Sequence, residues 1–308
     1  MRFTSKLLMV ILSCSGAMLC AQESYPQQME YNPCAINRCE IDFSVYGEFL
    51  YWDFSRTTGE RISSPLLDKT FQKKSNYEPG YRVGGTIRRA CWGLEARYTS
   101  INSETSFTVN NFLQPGDRYE HKSKWDYSVV DILISRLISC RWMKGSVTPY
   151  IGVKLAWITK KIDTEFFFQN PKAINLKNDF SGYGLNFGSR AAFQLWNCCI
   201  PTSLVVDLSC ALVKGSFKAN ADVIHAVTPN LDMTYNNIST LLWVPDLYLG
   251  LAFDLFECHC FDAQLSVGYE TQLWTKYYFI EESGSAASPR QIGGLGLDGL
   301  VARLTVGF

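Results

Sequence analysis

Hydrophobic and polar residues alternate one by one in ten segments of the chain after residue 40. Successive side chains of a β-strand point to opposite faces of the sheet, so this period of two predicts strands with one apolar and one polar face. In the segment 41–52, for example, Phe43 and Phe49 share one face, and Ser44 and Glu48 share the other. The predicted strands span about 41–52, 81–87, 92–99, 125–139, 147–168, 179–196, 202–217, 242–256, 261–279 and 297–308.

The connections between these segments alternate strictly between short and long ones. The short ones lie at 89–91, 140–145, 197–201 and 257–260, and the long ones lie around 55–78, 107–122, 166–178, 218–240 and 281–294. Outer-membrane barrels have an even number of antiparallel strands, short periplasmic turns and long external loops. The pattern therefore predicts an all-β transmembrane antiparallel β-barrel of about ten strands, with about eight to twelve as the range if a long connection hides a strand pair. A soluble β-sandwich or a periplasmic barrel is the alternative, although the predicted strands exceed the usual 5–6 residues of globular sheets.

The chain ends on a strand-like segment whose last residue, Phe308, is aromatic. Leu300 and Leu304 share the face of Phe308, while Arg303 falls on the opposite face. A barrel in lipid must close on itself, because an open sheet edge would leave backbone groups without hydrogen bonds. We therefore expect this segment to be the closing strand, with its end at the periplasmic edge.

The first residues have the order of a secretory signal peptide. Arg2 and Lys6 precede an apolar run, and Ala21 supplies a small residue for cleavage. A lipidated cysteine at Cys14 or Cys20 is the alternative for this segment. No later segment approaches the roughly 18 uninterrupted apolar residues that a membrane-spanning helix needs. We therefore predict export to the bacterial outer membrane, with a signal peptide at 1–21, a periplasmic N-terminal segment at 22–40 and the barrel at 41–308.

Composition adds two points. The formal net charge is zero, so nothing in the sequence indicates a nucleic-acid partner. Aromatic residues make up 14% of the chain, and aromatic girdles at the two membrane interfaces would account for this high share. In the regularly alternating segment 261–279, Tyr269 and Tyr277 are accordingly predicted on the lipid face.

The face opposite the apolar one carries charges of both signs, which are predicted to line the lumen. These candidates are Glu48, Arg82, Glu95, Arg97, Asp131, Lys154, Arg190, Asp207, Asp254, Glu270 and Arg303. Unpaired charges in a narrow barrel would be very costly, so we expect them to pair or to be hydrated. Either they line a channel, or they pair across an interior that side chains fill, as in barrels of about eight strands.

Eleven cysteines occur in the chain, nine of them after residue 21. Cys210 falls within a predicted strand, and the other eight precede the first strand or occupy the short connections. These disulfide candidates are Cys34, Cys39, Cys91, Cys140, Cys198, Cys199, Cys258 and Cys260. Disulfides form in exported proteins, so bonds within the periplasmic rim, bonds to other envelope proteins and unpaired thiols are the three interpretations. A zinc site at Cys258 and Cys260 is disfavoured because zinc ligands usually have wider spacing, and no metal or cofactor is predicted.

The chain is not predicted to be an enzyme. Its histidines are His121 and His225, in predicted external loops, and His259, in a short turn. The nucleophile motif G-x-S-x-G does not occur in the sequence. The residue types that hydrolases use as nucleophile and base are therefore not indicated.

Several sequence runs, in this order along the chain, resemble the Legionella-type major outer membrane protein family, which also has members in environmental relatives of chlamydiae. These runs are GEFLYW at 47–52, PGYRVG at 79–84, WDYSVVD at 125–131, PYIGVKLAWI at 149–158, NDFSGYGL at 178–185 and GLGLDGL at 294–300. The resemblance implies an outer-membrane β-barrel that is porin-like, and it carries no catalytic residues. The cysteines depart from it, being more numerous here than in the Legionella branch.

Two functions follow as expectations. The first is a porin-like channel for passive diffusion of small polar solutes. The second is a structural or adhesive barrel, closed to flux and cross-linked by disulfides at its periplasmic rim, as the analogy with chlamydial-type envelopes suggests. The expected partners are outer-membrane lipid, small solutes, and disulfide-linked envelope proteins or further copies of the chain, and no nucleic acid.

Overall fold

The computed structural model describes residues 41–56, 61–64, 69–72, 77–110, 118–140, 145–167, 172–196, 200–225, 231–258, 261–283, 286–291 and 294–308. The predicted signal peptide and N-terminal segment lie outside these ranges. Within them, no helix is long and apolar enough to cross a membrane. The strands are β1 (Ile41–Arg56), β2 (Arg61–Ser64), β3 (Lys69–Gln72), β4 (Tyr77–Arg89), β5 (Trp92–Asn110), β6 (Arg118–Arg136), β7 (Ile138–Cys140), β8 (Gly145–Phe167), β9 (Lys172–Trp196), β10 (Thr202–His225), β11 (Leu231–Cys258), β12 (Phe261–Trp274), β13 (Tyr278–Ser283), β14 (Ala286–Gln291) and β15 (Leu295–Gly307).

Ten strands form a closed antiparallel barrel, which confirms the predicted fold. Neighbouring strands pair in the order β6, β5, β4, β1, β15, β12, β11, β10, β9 and β8, and β6 also pairs with β8, which closes the ring. The short β7 pairs with β8 directly after β6 ends, so it prolongs β6 rather than adding a wall strand. The strand pairs β2–β3 and β13–β14 form two separate hairpins.

The first and last wall strands join the barrel as predicted. β1 and β15 pair continuously from Ser44 opposite Gly307 to Arg56 opposite Leu295. Beyond this ladder, Phe43 and Phe308 exchange backbone hydrogen bonds of 2.8 and 3.3 Å, and their rings stack with centroids 6.4 Å apart. The terminal aromatic residue therefore takes part in the closure itself.

The outer face of the barrel is apolar. Along β1 and β15, exposed apolar residues alternate with buried ones, and Leu300 and Leu304 are exposed as predicted. Exposed aromatic side chains also occur near the strand ends that carry the short turns. They include Phe43, Trp92, Trp196, Phe256, Phe261 and Phe308. Such a ring matches the aromatic girdle of outer-membrane barrels.

The turn between β4 and β5 has two residues. Ala90, its first residue, has a positive φ of 51°, and Cys91 follows it. Two-residue hairpins of the favoured type need positive φ, because that twist matches the twist of the flanking strands.

Three of the predicted long loops are wrong. Most of 107–122, 166–178 and 218–240 belongs to strands, and the connections shrink to 111–117, 168–171 and 226–230. Most polar residues there, such as Lys122, Lys177 and Lys218, lie on the outer face of strands that continue beyond the apolar band, while Ile174 and Leu176 face inward. An inward-facing cluster of Ile162, Ile174, Leu176, Ala219 and Ala221 is buried in this extension. The high polarity of these three segments predicted loops, although the period of two continues through them. The wall still has ten strands.

A charge on the outer face tests the position of the apolar band. Leu304 is exposed and pairs with Gly47 and Leu265 in the middle of the outer face. We expect Leu304→Arg to lower the free energy of unfolding in lipid vesicles by about 2–4 kcal/mol, since a charge near the bilayer midplane loses hydration. The measurement is reversible urea unfolding followed by Trp fluorescence. Asn220→Arg, on the exposed outer face of the β10 extension, serves as the control and should change stability by less than about 0.5 kcal/mol. Equal effects of the two substitutions would contradict this position of the band.

Candidate functional site in the barrel interior

The interior face of the wall carries a network of ion pairs. On one side of it, Arg82 of β4 links two carboxylates: its Nη1 lies 2.8 Å from Glu48 Oε2, and its Nη2 lies 2.8 Å from Glu270 Oε1. The other Glu48 oxygen accepts a hydrogen bond of 2.7 Å from Arg303 Nε. Arg82 also donates from Nε to Thr99 Oγ1 at 2.8 Å. Both guanidinium groups are therefore neutralised within the wall.

A second set of contacts centres on Asp131 of β6, which is buried. Arg97 of β5 donates to Asp131 Oδ2 at 3.0 Å, and Lys154 Nζ of β8 lies 2.9 Å from Asp131 Oδ1. Asn186 of β9 donates a further hydrogen bond of 2.9 Å to the same oxygen. Each of these side chains lies at one of the inward-facing positions in the alternation of its strand. The Asp131 carboxylate therefore joins four neighbouring strands.

A third set of contacts extends across the interior through Arg190 of β9. Its Nε donates to Asp207 Oδ2 at 3.0 Å, and its Nη1 lies 3.7 Å from Glu95 Oε2, on a strand three places away in the ring. Tyr46 donates from its hydroxyl to the other Glu95 oxygen at 2.6 Å. Its ring needs Gly84 beside it, because a Cβ there would come within 2.5 Å of the Tyr46 ring.

We call these three sets the charge layer. It contains ten of the eleven candidates from the sequence, all inward-facing and ion-paired. The remaining one, Asp254, does not join them. It is exposed, lies beside a register shift of β11 and accepts a hydrogen bond of 2.7 Å from Gln264 Nε2. The irregular ladder at this strand end separates it from the other carboxylates.

Large aromatic side chains fill the interior beside the charge layer, and sequence reasoning did not identify them as a site. Trp52, Trp125, Tyr127, Trp274 and Tyr277 are all fully buried. They belong to one apolar cluster whose members come from nine of the ten wall strands and from the residue after the turn that follows β12. Its other members are Leu50, Phe54, Ile101, Val129, Ala156, Ile158, Phe180, Ala211, Val213, Phe217, Leu242, Val244, Leu295, Leu297 and Val301. We call this cluster the aromatic layer.

The aromatic layer crosses the full width of the interior. Tyr127 of β6 meets Trp274 of β12 edge to face, with ring centroids 6.1 Å apart, and Trp125 lies 6.3 Å from Tyr277. In the closed ring of ten strands, β6 and β12 are five places apart. They are therefore diametrically opposite, and side chains from opposite walls are in contact.

Tyr277 lies inside because the chain turns inward after β12. Thr275 donates its backbone N–H (2.9 Å) and its hydroxyl (2.9 Å) to the Trp243 carbonyl of β11, and Lys276 then adopts a φ of 54°. The Tyr277 ring reaches Phe217 of β10 at 4.8 Å between centroids. The prediction that Tyr277 faces lipid is therefore wrong, because β12 ends at Trp274 and its alternation does not continue through the turn.

Arg82 of the charge layer lies over the Trp52 ring of the aromatic layer, 5.5 Å from its centre. A polar side chain also bonds two rings of the aromatic layer. Gln272 of β12 accepts hydrogen bonds at Oε1 from the Tyr127 hydroxyl (2.6 Å) and from Trp274 Nε1 (3.0 Å). Its Nε2 donates to Asp246 of β11 at 3.2 Å. Asp246 and Asn186 were missed, although the same alternation that identified Asp131 and Glu270 places them on the inward face. Lys160 was also missed; it is buried, with its ammonium 4.7 Å from the centre of the Trp125 ring.

Three cysteines lie at the end of the barrel that carries the short turns. Cys91 lies in the β4–β5 turn and is not free, while Cys140 and Cys258 end β7 and β11. Cys210 is a free, half-buried thiol within β10. The other candidates (Cys34, Cys39, Cys198, Cys199, Cys260) lie outside the described residues, as does His259. Among the side chains that are described, no group of His, Cys, Asp and Glu could hold a metal ion.

The family profile described as "Legionella pneumophila major outer membrane protein precursor" matches residues 31–307. No curated protein matches the chain. Among solved structures, the translocator domain of the autotransporter NalP from Neisseria meningitidis is similar at 10% identity, covering 99% of this chain and 95% of that chain with a TM-score of 0.42.

Two further solved structures are similar over most of the chain. The outer membrane protease OmpT from Escherichia coli has 7% identity, coverage of 87% and 96%, and a TM-score of 0.46. A major outer membrane protein from Thermus thermophilus has 12% identity, coverage of 87% and 100%, and a TM-score of 0.38. These similarities are too low to assign an activity, whereas the family profile spans nearly the whole chain. The chain therefore belongs to the Legionella major outer membrane protein family, and it is a β-barrel protein of the bacterial outer membrane.

Proposed function

We propose that this barrel is closed to free diffusion and serves as a structural component of the envelope, with its short turns and their cysteines on the periplasmic side. The aromatic layer carries this proposal, because side chains from opposite walls touch across the interior. A hydrated ion would have to pass Trp125, Trp274 and Tyr277, which have almost no exposed surface. The alternative from the sequence, in which charges pair across a filled interior, agrees with these contacts.

The charge layer supports closure as well. Conducting pores keep their charged side chains hydrated, so that ions exchange protein contacts for water. Here Glu48, Arg82, Asp131 and Lys154 are all buried and their charges are matched within 3.0 Å. Separating them would leave uncompensated buried charges, which costs several kcal/mol per ion. The layer is therefore a poor candidate for an element that moves often.

A porin-like channel for small polar solutes is the second candidate. One observation favours it: the side chains of Arg190, Asp207 and Arg303 retain exposures of 27%, 13% and 19%. These residues lie nearer the short turns than the aromatic layer does, so the interior is hydrated from that end. In this candidate the aromatic layer opens while the charge layer remains.

We also infer that the barrel is not an enzyme. Five of the inward carboxylates are held in ion pairs of the charge layer, where they are not available to activate water. His121 lies in β6 rather than in a loop, and its Nδ1 is 3.1 Å from Thr164 Oγ1. The Phe107 and Tyr119 rings pack beside it, with centroids 4.9 and 6.3 Å away. This arrangement is typical of a packed side chain.

Planar-bilayer recordings distinguish the two candidates. We expect the wild-type protein to show no stepwise conductance, and the double variant Trp274→Ala, Tyr277→Ala to conduct, because two rings that span the interior are removed. The matched control is Trp157→Ala, Tyr183→Ala, which removes the same two residue types from the exposed outer face. Regular single-channel steps from the folded wild-type protein would overturn the closed barrel and favour the porin.

The charge layer predicts a large stability effect at its centre. We expect Asp131→Asn to lower the free energy of unfolding by about 3–5 kcal/mol, because Arg97 and Lys154 lose their shared counter-charge while they stay buried. Urea unfolding in vesicles measures this change. Asp254→Asn, with the same chemistry at an exposed position, should stay within about 0.5 kcal/mol. A small effect at Asp131 would mean that water reaches the charge layer.

Cross-linking through the periplasmic rim is tested on isolated envelopes. We expect the protein to run as disulfide-linked multimers on non-reducing gels and as a monomer after reduction. Replacing Cys198 and Cys199 by Ser should shift material toward the monomer, because adjacent cysteines cannot bond each other without strain and need separate partners. Cys210→Ser, which removes a thiol within the wall, should leave the pattern unchanged. A wild-type monomer without reductant would contradict the cross-link.

A further inference from the structure

Three lysines lie side by side on the outer face of the extended wall. Lys124 of β6 is directly opposite Lys161 of β8, and Lys161 is directly opposite Lys177 of β9. All three point outward, because each lies between inward-facing, buried neighbours. Directly opposite residues have Cβ atoms about 4.5–5.5 Å apart, and like charges in this position destabilise a sheet. The row therefore needs a compensating anion.

Side chains of the protein supply only part of that compensation. Lys177 Nζ lies 2.7 Å from Asp179 Oδ2, and Lys124 Nζ lies 3.9 Å from Asp126 Oδ1, at the edge of an ion pair. Lys161 makes no ion pair with the described residues, although Asp163 follows it at the next outward-facing position, opposite Lys122. Lys122 itself pairs with Glu104.

Two more lysines of β10 extend the row toward the apolar band. Lys218 is opposite Asp179, and Lys214 is opposite Tyr183. We call the five lysines Lys124, Lys161, Lys177, Lys214 and Lys218 the basic patch. Within it, Asp126 and Asp179 are the two acidic residues, so the patch carries excess positive charge.

The basic patch borders the membrane interface. Trp157 and Tyr183 are exposed on the outer face directly below it, and exposed Trp and Tyr mark that interface in barrels. Lys161 follows Trp157 by four residues, about 13 Å along the strand. A lysine side chain can bend back over part of this distance, with its stem on the wall and its ammonium at the level of the lipid headgroups.

Two acidic residues occupy outward positions on the opposite side of the barrel. Asp53 of β1, which is only 8% exposed, and Asp298 of β15 are directly opposite each other near the same end of the wall. β15 and β8 are five places apart in the ring of ten strands. The directly paired lysines of β6, β8 and β9 therefore contrast with the directly paired aspartates on this opposite side.

We propose that the basic patch binds the phosphate groups of a phosphorylated lipid of the outer leaflet. This inference rests on the orientation in the proposed function, in which the extended strands are external. Ammonium groups bind phosphate as point charges, and several together hold an anionic headgroup at a membrane surface. A lipid is the occupant because the patch adjoins the apolar outer face below Trp157 and Tyr183, which a membrane barrel presents to acyl chains.

The test titrates bisphosphorylated lipid A into the detergent-solubilised protein and counts bound lipid by native mass spectrometry. We expect binding that weakens in 0.5 M salt, since screening acts on exposed charges. The triple variant Lys124→Gln, Lys161→Gln, Lys177→Gln should lose at least about tenfold in affinity. Lys161→Gln alone, at an exposed position without an ion pair, should lose a few-fold and remain folded. Monophosphorylated lipid A should bind more weakly than the bisphosphorylated form.

The matched control is Arg118→Gln, Lys122→Gln, which removes two positive charges farther from the membrane that pair with Glu120 and Glu104. It should change the affinity less than about twofold. Equal binding by the triple variant and the wild-type protein would overturn the site, as would equal binding of phosphatidylcholine and lipid A. Micelles have no sidedness and the assay does not depend on the lumen. A negative result in the lipid-binding assay therefore does not contradict a closed barrel. Conductance by the wild-type protein, in turn, does not contradict the lipid site.

Discussion

Every feature of this protein depends on the closure of one sheet in lipid. Lipid offers no hydrogen bonds, so each backbone N–H and C=O group within the membrane must be satisfied by a neighbouring strand. β1 and β15 meet this demand by pairing from Ser44 to Arg56, and Phe308 prolongs the seam. Once the sheet is closed, each wall position faces either lipid or the interior, and the alternation of a single strand decides which. The same constraint therefore produces the apolar surface and the polar interior together.

Ten strands place this interior near the limit that side chains can fill. The walls are close enough for Tyr127 to meet Trp274 from the opposite side, and for Arg190 to approach Glu95 from three strands away. These contacts between opposite walls mean that side chains fill the interior at this level. Arg82 of the charge layer lies over the Trp52 ring of the aromatic layer, 5.5 Å from its centre, so the two layers are in contact and the interior is packed like the core of a soluble protein.

The period of two allowed much of this arrangement to be predicted. It placed Glu48 inside and Phe49 outside, and it predicted the closing strand. It failed where a residue's face depends on more than its own strand. Tyr277 follows a turn that reverses the direction of the chain, and the outcome of that turn depends on contacts with Trp243 of the neighbouring strand. The polar outer faces of the strands beyond the membrane predicted loops. In that region apolar residues face inward and polar residues face outward, which reverses the pattern of the membrane-spanning part. Aromatic girdles explained only part of the aromatic content, since Trp52 is among the rings that fill the interior.

The charge layer and the aromatic layer differ in the energetic cost of displacing their side chains, and this difference bears on function. In the charge layer, most groups are buried with their counter-charges, so the displacement of one residue would leave several others uncompensated, at a cost of several kcal/mol. The aromatic layer is held by dispersion and edge-to-face contacts, each worth only about 0.5–1.5 kcal/mol beyond burial. Tyr277 lies on a connection rather than on a wall strand, so its ring can leave without breaking the sheet. If a relative of this barrel conducts, the difference should therefore lie in the aromatic layer and in the turn at Thr275, with the charge layer retained as the frame of the wall.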